Sequence, residues 1–130
     1  MAGIPKEKSA DALRALDKLN KIGYDGVKGE FERSGLNNDF FSHLMGLMVV
    51  EGDNEHKIKK TRSFLQNNPL GQEGVNEISQ IIDLLGNTGL SDKIEIAPSL
   101  VRGLDYYTGP IFEIEICSGK EVGSVAGGGR

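Results

Sequence analysis

Leu13, Leu16, Leu19 and Ile22 recur at three-residue spacing, which puts them on one stripe of a helix over 5–22, and Gly23 supplies its C-terminal cap. A weaker helix is predicted over 25–34 with Val27 and Phe31 on one face. Gly26 and Gly29 each cost that helix about 1 kcal/mol, and Gly35 ends it. Asn38 reads as the cap of a third helix with Phe41, Leu44 and Met48 turned inward. Gly52, Asp53 and Asn54 break that run and can cap a fourth helix over 55–66. Asn67-Asn68-Pro69-Leu70-Gly71 reads as a loop. Val75, Ile78, Ile82 and Leu85 then mark the strongest helix in the chain, ended by Gly86.

Past Gly89 the hydrophobic period falls toward two. Lys93-Ile94-Glu95-Ile96 alternates, and 100–107 reads as a strand running into a turn at Thr108-Gly109-Pro110. Residues 111–117 form a half-buried strand, with Glu113 and Glu115 on the face opposite Phe112, Ile114 and Ile116. Ser118-Gly119-Lys120 suits a hairpin turn and 122–126 a further strand. Helices followed by strands give an α+β chain: a helical part over 1–90 and a small antiparallel sheet over 91–130. A glycine-rich extended end with nothing to cover it reads as cut from something longer.

Composition narrows the classes. A chain of 130 residues, 38% hydrophobic and 26% charged, has the make-up of a soluble globular protein with a core of its own. A single cysteine, Cys117, excludes an internal disulfide framework and every multi-cysteine metal site. No run approaches 18 apolar residues and no signal peptide opens the chain, so no membrane is expected and a cytoplasmic location is the default. A formal charge of −4 argues against a dedicated nucleic-acid module. The first 65 residues nevertheless carry 11 basic and 10 acidic groups against 4 and 9 in the rest, so any basic patch lies there.

Chemistry concentrates in two segments. The run Gly127-Gly128-Gly129-Arg130 can bring bare backbone close to a ligand, and Gly123 to Gly128 matches the first part of a phosphate-binding P-loop. The match stops there, because Gly129 stands where lysine is required. A flexible or close-packed strand explains the same glycines. In Arg102-Gly103-Leu104-Asp105-Tyr106-Tyr107-Thr108-Gly109 a permanently charged guanidinium fork sits beside two tyrosines, which on a strand point to opposite faces. The plainer alternative makes both tyrosines strand formers and pairs Arg102 with Asp105 on the surface. Lys57, Lys59, Lys60 and Arg62 place four cations on one helix. With Glu51, Asp53 and Glu55 close by, they suit a solvated face as well as a nucleic-acid footprint. His43 and His56 have no partner at ligand spacing, so no metal site is expected, and Cys117 reads as a buried, inert thiol. Asp17 and Asp25 find no matched partner for acid–base work.

Leu100-Val101-Arg102-Gly103-Leu104-Asp105-Tyr106-Tyr107-Thr108-Gly109, followed by Phe112-Glu113, resembles the first histidine-specific signature of the histidyl-tRNA synthetases. Gly123-Ser124-Val125-Ala126-Gly127-Gly128-Gly129-Arg130 resembles the start of the second. Leu16-Asp17-Lys18-Leu19 and Lys21-Ile22-Gly23 are similar, less specifically, to that family's insertion between class II motifs 2 and 3.

The resemblance implies a helical insertion domain attached to strands of the class II catalytic core, in a parent enzyme that activates L-histidine with ATP and passes it to tRNA(His). It assigns Arg102 to the α-phosphate of ATP as the electrostatic catalyst, where other class II enzymes place a magnesium ion. It assigns Tyr106 and Tyr107 to the histidine pocket, and Gly127, Gly128 and Gly129 to the floor beneath the amino acid. Lys57, Lys59, Lys60 and Arg62 become candidate contacts to the tRNA acceptor arm. The intact enzyme is expected to be a cytoplasmic homodimer using Mg²⁺ with its ATP. These 130 residues, in which nothing resembles motif 2 or motif 3, are expected to be inactive alone and to bind no cofactor alone. Two other readings stay open: a non-catalytic paralogue of the kind that regulates ATP phosphoribosyltransferase, and a plain tRNA-binding module.

Overall fold

The computed structural model describes residues 6–103, 106–116 and 123–130. Among these residues five α-helices precede two strands: α1 (Ser9–Asp17), α2 (Leu19–Arg33), α3 (Asn38–Met48), α4 (Asn54–Phe64), α5 (Pro69–Gly86), β1 (Ile111–Glu115) and β2 (Ser124–Gly129). The chain is therefore α+β, as its change of period implies.

The helices break where the backbone needs a special residue. The stripe expected over 5–22 is split after Asp17, and α2 bends sharply at Gly23, whose φ of 67° and ψ of −178° leave the helical region. A residue with a Cβ is strained at that φ, so the bend needs glycine. Beyond it Val27 and Phe31 face inward as their spacing requires, and both are fully buried. The cap of α3 is Asn37, one residue earlier than expected, its side chain accepting a hydrogen bond from Asp39 N at 2.7 Å. Asp53 caps α4 through His56 N at 2.8 Å.

The loop expected over 67–71 is a helix start instead. Asn68 accepts from Gly71 N at 3.0 Å and Pro69 opens α5. Proline costs a first helical turn nothing, because the N–H it lacks would have had no partner there.

Neighbouring helices pack in chain order. The main core gathers Ala12, Ala15 and Leu16 of α1, Val27 and Phe31 of α2, and Phe41, Leu44 and Met45 of α3, with Leu36 between. Phe31 and Phe41 meet edge to face with centroids 5.0 Å apart, and Tyr24 meets Phe41 in the same way at 4.9 Å. The quadrupole of each ring favours this geometry over a flat stack.

Residues 94–96 are pinned to the start of α4. Asn54 donates to Ile94 O at 2.7 Å and accepts from Ile96 N at 2.8 Å, so one side-chain amide does the work of a strand partner. One turn on, Lys57 is buried and its ammonium meets the exposed carboxylate of Glu95. Val101 then packs against the helical core, fixing the chain as it enters the segment of Arg102.

The sheet differs from expectation in strand number. Among the described residues it has two antiparallel strands, with Ile111 opposite Gly129, Phe112 opposite Gly128, Glu113 opposite Gly127 and a register shift after Ile114. The segment over 100–107 is not a strand in its described part. Gly103 takes φ 57°, and Tyr106 N and Tyr107 N both donate to Gly103 O at 2.9 and 3.0 Å, which folds the chain into a turn. The pairing of Arg102 with Asp105, the turn at 118–120 and the character of Cys117 fall outside the described residues.

The aromatic pair sets the stability of the helical part. Phe31→Ala or Phe41→Ala should each cost about 3–5 kcal/mol in urea unfolding, the price of a large buried cavity, against under about 0.5 kcal/mol for exposed Leu84→Ala. The Lys57 pair predicts a pH signature. The hydrogen bond from Lys57, aided by its charge, holds the Glu95 carboxyl below the ordinary carboxylate value. A carboxyl depressed in the folded state contributes stability above its unfolded value and loses it as pH falls through the folded one. The gap in urea midpoint between wild type and Glu95→Gln should therefore be widest at neutral pH and close on acidification; a gap independent of pH would contradict the pair.

Candidate functional site

Glycines on β2 bring the chemistry together. Residues paired across an antiparallel ladder share a face, so Ile111, Glu113, Gly127 and Gly129 lie on one side of the sheet and Phe112 with Gly128 on the other. Arg102 lies over Gly127, where an added Cβ would stand 2.7 Å from Cζ and 2.8 Å from Nε. Tyr107 lies over Gly129, where a Cβ would stand 2.8 Å from Cγ of the ring and 2.9 Å from Cγ2 of Ile111. The two side chains fill the space that a side chain on either glycine would take.

Glu113 orients the arginine, accepting from Arg102 Nη1 at 2.7 Å. The Arg102 side chain remains 40% exposed, so a permanent cation is held at a defined place and still faces solvent. Glu113 is half buried, while Phe112 and Ile114 on the opposite face are exposed. The alternation implied by the sequence holds only as far as Ile114: Ile111 and Glu113 are half buried and Phe112 and Ile114 exposed, whereas past the register shift Glu115 and Ile116 are both exposed. Tyr106 is 80% exposed and its ring meets that of Tyr107 edge to face at 4.9 Å. The turn at Gly103, in place of a strand, explains why adjacent tyrosines touch instead of pointing to opposite faces.

The end of β2 closes this cluster. Arg130 O accepts from Thr108 N at 2.8 Å and Gly109 N at 3.1 Å, and Arg130 N donates to Pro110 O at 3.1 Å. Its guanidinium crosses Gly109 and reaches Glu77 of α5, Nη2 to Oε1, at 2.7 Å.

Of the residues singled out from sequence, Arg102, Tyr107, Gly127 and Gly129 converge, Tyr106 stands at their rim and Gly128 lies on the other face beneath the ring of Phe112. The four cations of α4 do not form one open face. Lys57 is only 5% exposed and paired with Glu95. Arg62 donates to Asn76 of α5 at 2.7 Å, and Lys59 and Lys60 are exposed. Glu77 escaped the sequence reading, and Glu113 entered it only as part of the first signature and of a polar strand face, without a partner. Alternation places Glu113 on a polar face, but its partner depends on the pairing register, and nothing local marks Glu77. Among the described residues no three His, Cys, Asp or Glu side chains group as metal ligands, and no helix is long and apolar enough to cross a membrane.

Chains similar to this one in sequence and in structure are aminoacyl-tRNA synthetases. A crystal structure of histidyl-tRNA synthetase from Nostoc sp. PCC 7120 superposes with a TM-score of 0.86 at 28% identity, over 97% of this chain and 30% of that one. The histidine–tRNA ligase of Bacteroides fragilis is 36% identical over 124 residues, 95% of this chain and 27% of that protein. That of Flavobacterium johnsoniae is 38% identical over 125 residues, 95% of this chain and 26% of the relative. The family model described as histidyl-tRNA synthetase matches residues 1–130, and the chain belongs to that family. It spans about a quarter of the length of the curated relatives it matches.

The glycine contacts separate two costs. Gly127→Ala meets the far end of a flexible arginine, which can swing aside, so unfolding stability should change by under about 0.5 kcal/mol while the Arg102–Glu113 contact is lost. Gly129→Ala meets the stem of the Tyr107 ring and a β-branched Ile111, and should cost about 1–3 kcal/mol. Urea titration together with a crystal structure of each variant checks both.

Proposed function

We propose that the chain is the part of a class II histidine–tRNA ligase that combines a helical insertion domain, residues 1–90, with histidine-binding strands of the catalytic core, residues 91–130. The reaction activates L-histidine with ATP: a carboxylate oxygen of histidine attacks the α-phosphorus, a P–O bond forms and pyrophosphate leaves. A ribose hydroxyl at the end of tRNA(His) then attacks the activated carbonyl and AMP departs. The enzyme acts as a cytoplasmic homodimer, and Mg²⁺ enters with ATP as part of the substrate.

The observation that carries this reading is the placement of Arg102 and Tyr107 over Gly127 and Gly129, with Glu113 holding the guanidinium. A fixed cation needs no reorganisation when charge grows on the phosphorus oxygens, and one such preorganised donor is worth about 2.7–4 kcal/mol of barrier. Arg102 is the catalytic residue in that sense. Its ion pair with Glu113 also keeps its position between turnovers.

Tyr106 and Tyr107 read the amino acid. A neutral imidazole offers one donor and one acceptor nitrogen, and phenol hydroxyls match either. A pocket with buried hydrogen-bonding groups rejects an analogue that lacks the matching atoms by about 10⁴-fold. Gly127 and Gly129 let Arg102 and Tyr107 lie close on the strand, so the floor beneath the amino acid is built from these two side chains over bare backbone; Gly128, on the other face, supports the strand against Phe112. For tRNA, Lys59 and Lys60 are the α4 cations exposed to meet phosphate, with Lys57 and Arg62 serving the fold.

In the intact polypeptide, Arg102→Ala should lower histidine-dependent ATP–pyrophosphate exchange by about 10²- to 10³-fold and leave the unfolding midpoint in place. A rate close to wild type would remove Arg102 from the chemistry.

A further inference from the structure

We infer that Glu77 of α5 is a positioning residue for the amino-acid pocket, acting through Arg130 on the turn that carries Tyr107. The inference rests on the function proposed above. It starts from a connection between distant parts of the chain: 53 residues separate Glu77 from Arg130, and their side chains meet at 2.7 Å.

Each end of that connection is anchored. Glu77 lies on an 18-residue helix capped by Asn68 and held to α4 by two hydrogen bonds, Arg62 to Asn76 and Gln72 to the Arg62 carbonyl, each at 2.7 Å. Arg130 holds the turn through three backbone bonds, two accepted from Thr108 and Gly109 and one donated to Pro110. Thr108 follows Tyr107 directly, so a shift of the Arg130 backbone carries the tyrosine with it. Its guanidinium lies across Gly109, where an added Cβ would stand 2.5 Å from Nε, and its path runs from there to α5.

Glu77 terminates that path. The Glu77 side chain is 29% exposed and that of Arg130 is 68% exposed. An exposed pair of this kind adds little to global stability. Its effect is geometric: it selects one placement of the turn relative to the helices. Tyr107 reads the amino acid and Arg102 the nucleotide, so the consequence falls on histidine binding.

Two measurements test the inference. In the intact polypeptide, Glu77→Gln should raise the KM for histidine in pyrophosphate exchange by about three- to tenfold, with kcat within about twofold. Glu77→Arg and Arg130→Glu should each do the same, and the double reversal should recover most of the loss. Independently of activity, Glu77→Gln should speed hydrogen exchange at the Thr108 and Gly109 amides by about the same factor without moving the unfolding midpoint. Should the wild-type polypeptide show no histidine-dependent exchange, the proposed function fails, and the amide measurement alone decides the coupling. Unchanged amide exchange overturns the inference, as does an unchanged KM in an active enzyme or a double reversal no better than the single ones.

Discussion

Two large side chains can lie flat on a strand only where that strand has no side chains of its own, and this constraint organises the sheet end of the molecule. Arg102 and Tyr107 occupy the space above Gly127 and Gly129. The hairpin register brings Glu113 opposite Gly127, within reach of the guanidinium. The glycines therefore serve as a surface for other residues, a different use from the anion-cradling loop that their sequence first suggests. A cradle uses backbone N–H groups, whereas here the absence of Cβ atoms lets neighbours approach.

The helical part contributes position. Asn54 and Lys57 hold residues 94–96 against α4, Val101 packs on the core, and Arg102 follows at once. Glu77 holds the far end of β2 through Arg130. The segment carrying the arginine and tyrosines is thus tied to the helices at both of its ends. The helices are themselves joined by the burial of Phe31 and Phe41 and by caps at Asn37, Asp53 and Asn68. Lys57 shows how readily charge patterning misleads. On paper it belongs to a run of four cations, yet it is buried and spent on one linker carboxylate.

The sequence by itself determined the helical character of the chain up to about residue 90, the inward faces at Val27, Phe31, Phe41 and Leu44, the change to strands beyond it and the two signatures that resemble the histidyl-tRNA synthetases. Each of these depends on neighbours in the chain: a three- or two-residue hydrophobic period, an Asn or Asp cap, a run of particular residue types. It ran one helix over 5–22, where the chain breaks after Asp17 and leaves Ile22 exposed. It misread 100–107 as a strand, because Leu, Val and Tyr favour extended backbone, whereas Gly103 at φ 57° turns the chain. It misread 69–71 as loop, because proline breaks a helix everywhere except at its first turn. Only the tertiary structure decided that Arg102 pairs with Glu113, that Arg130 reaches Glu77, and that Lys57 is buried against Glu95. These contacts join residues 11, 53 and 38 positions apart. A side chain's local pattern fixes which way it faces, but its partner depends on what the rest of the fold brings to that face.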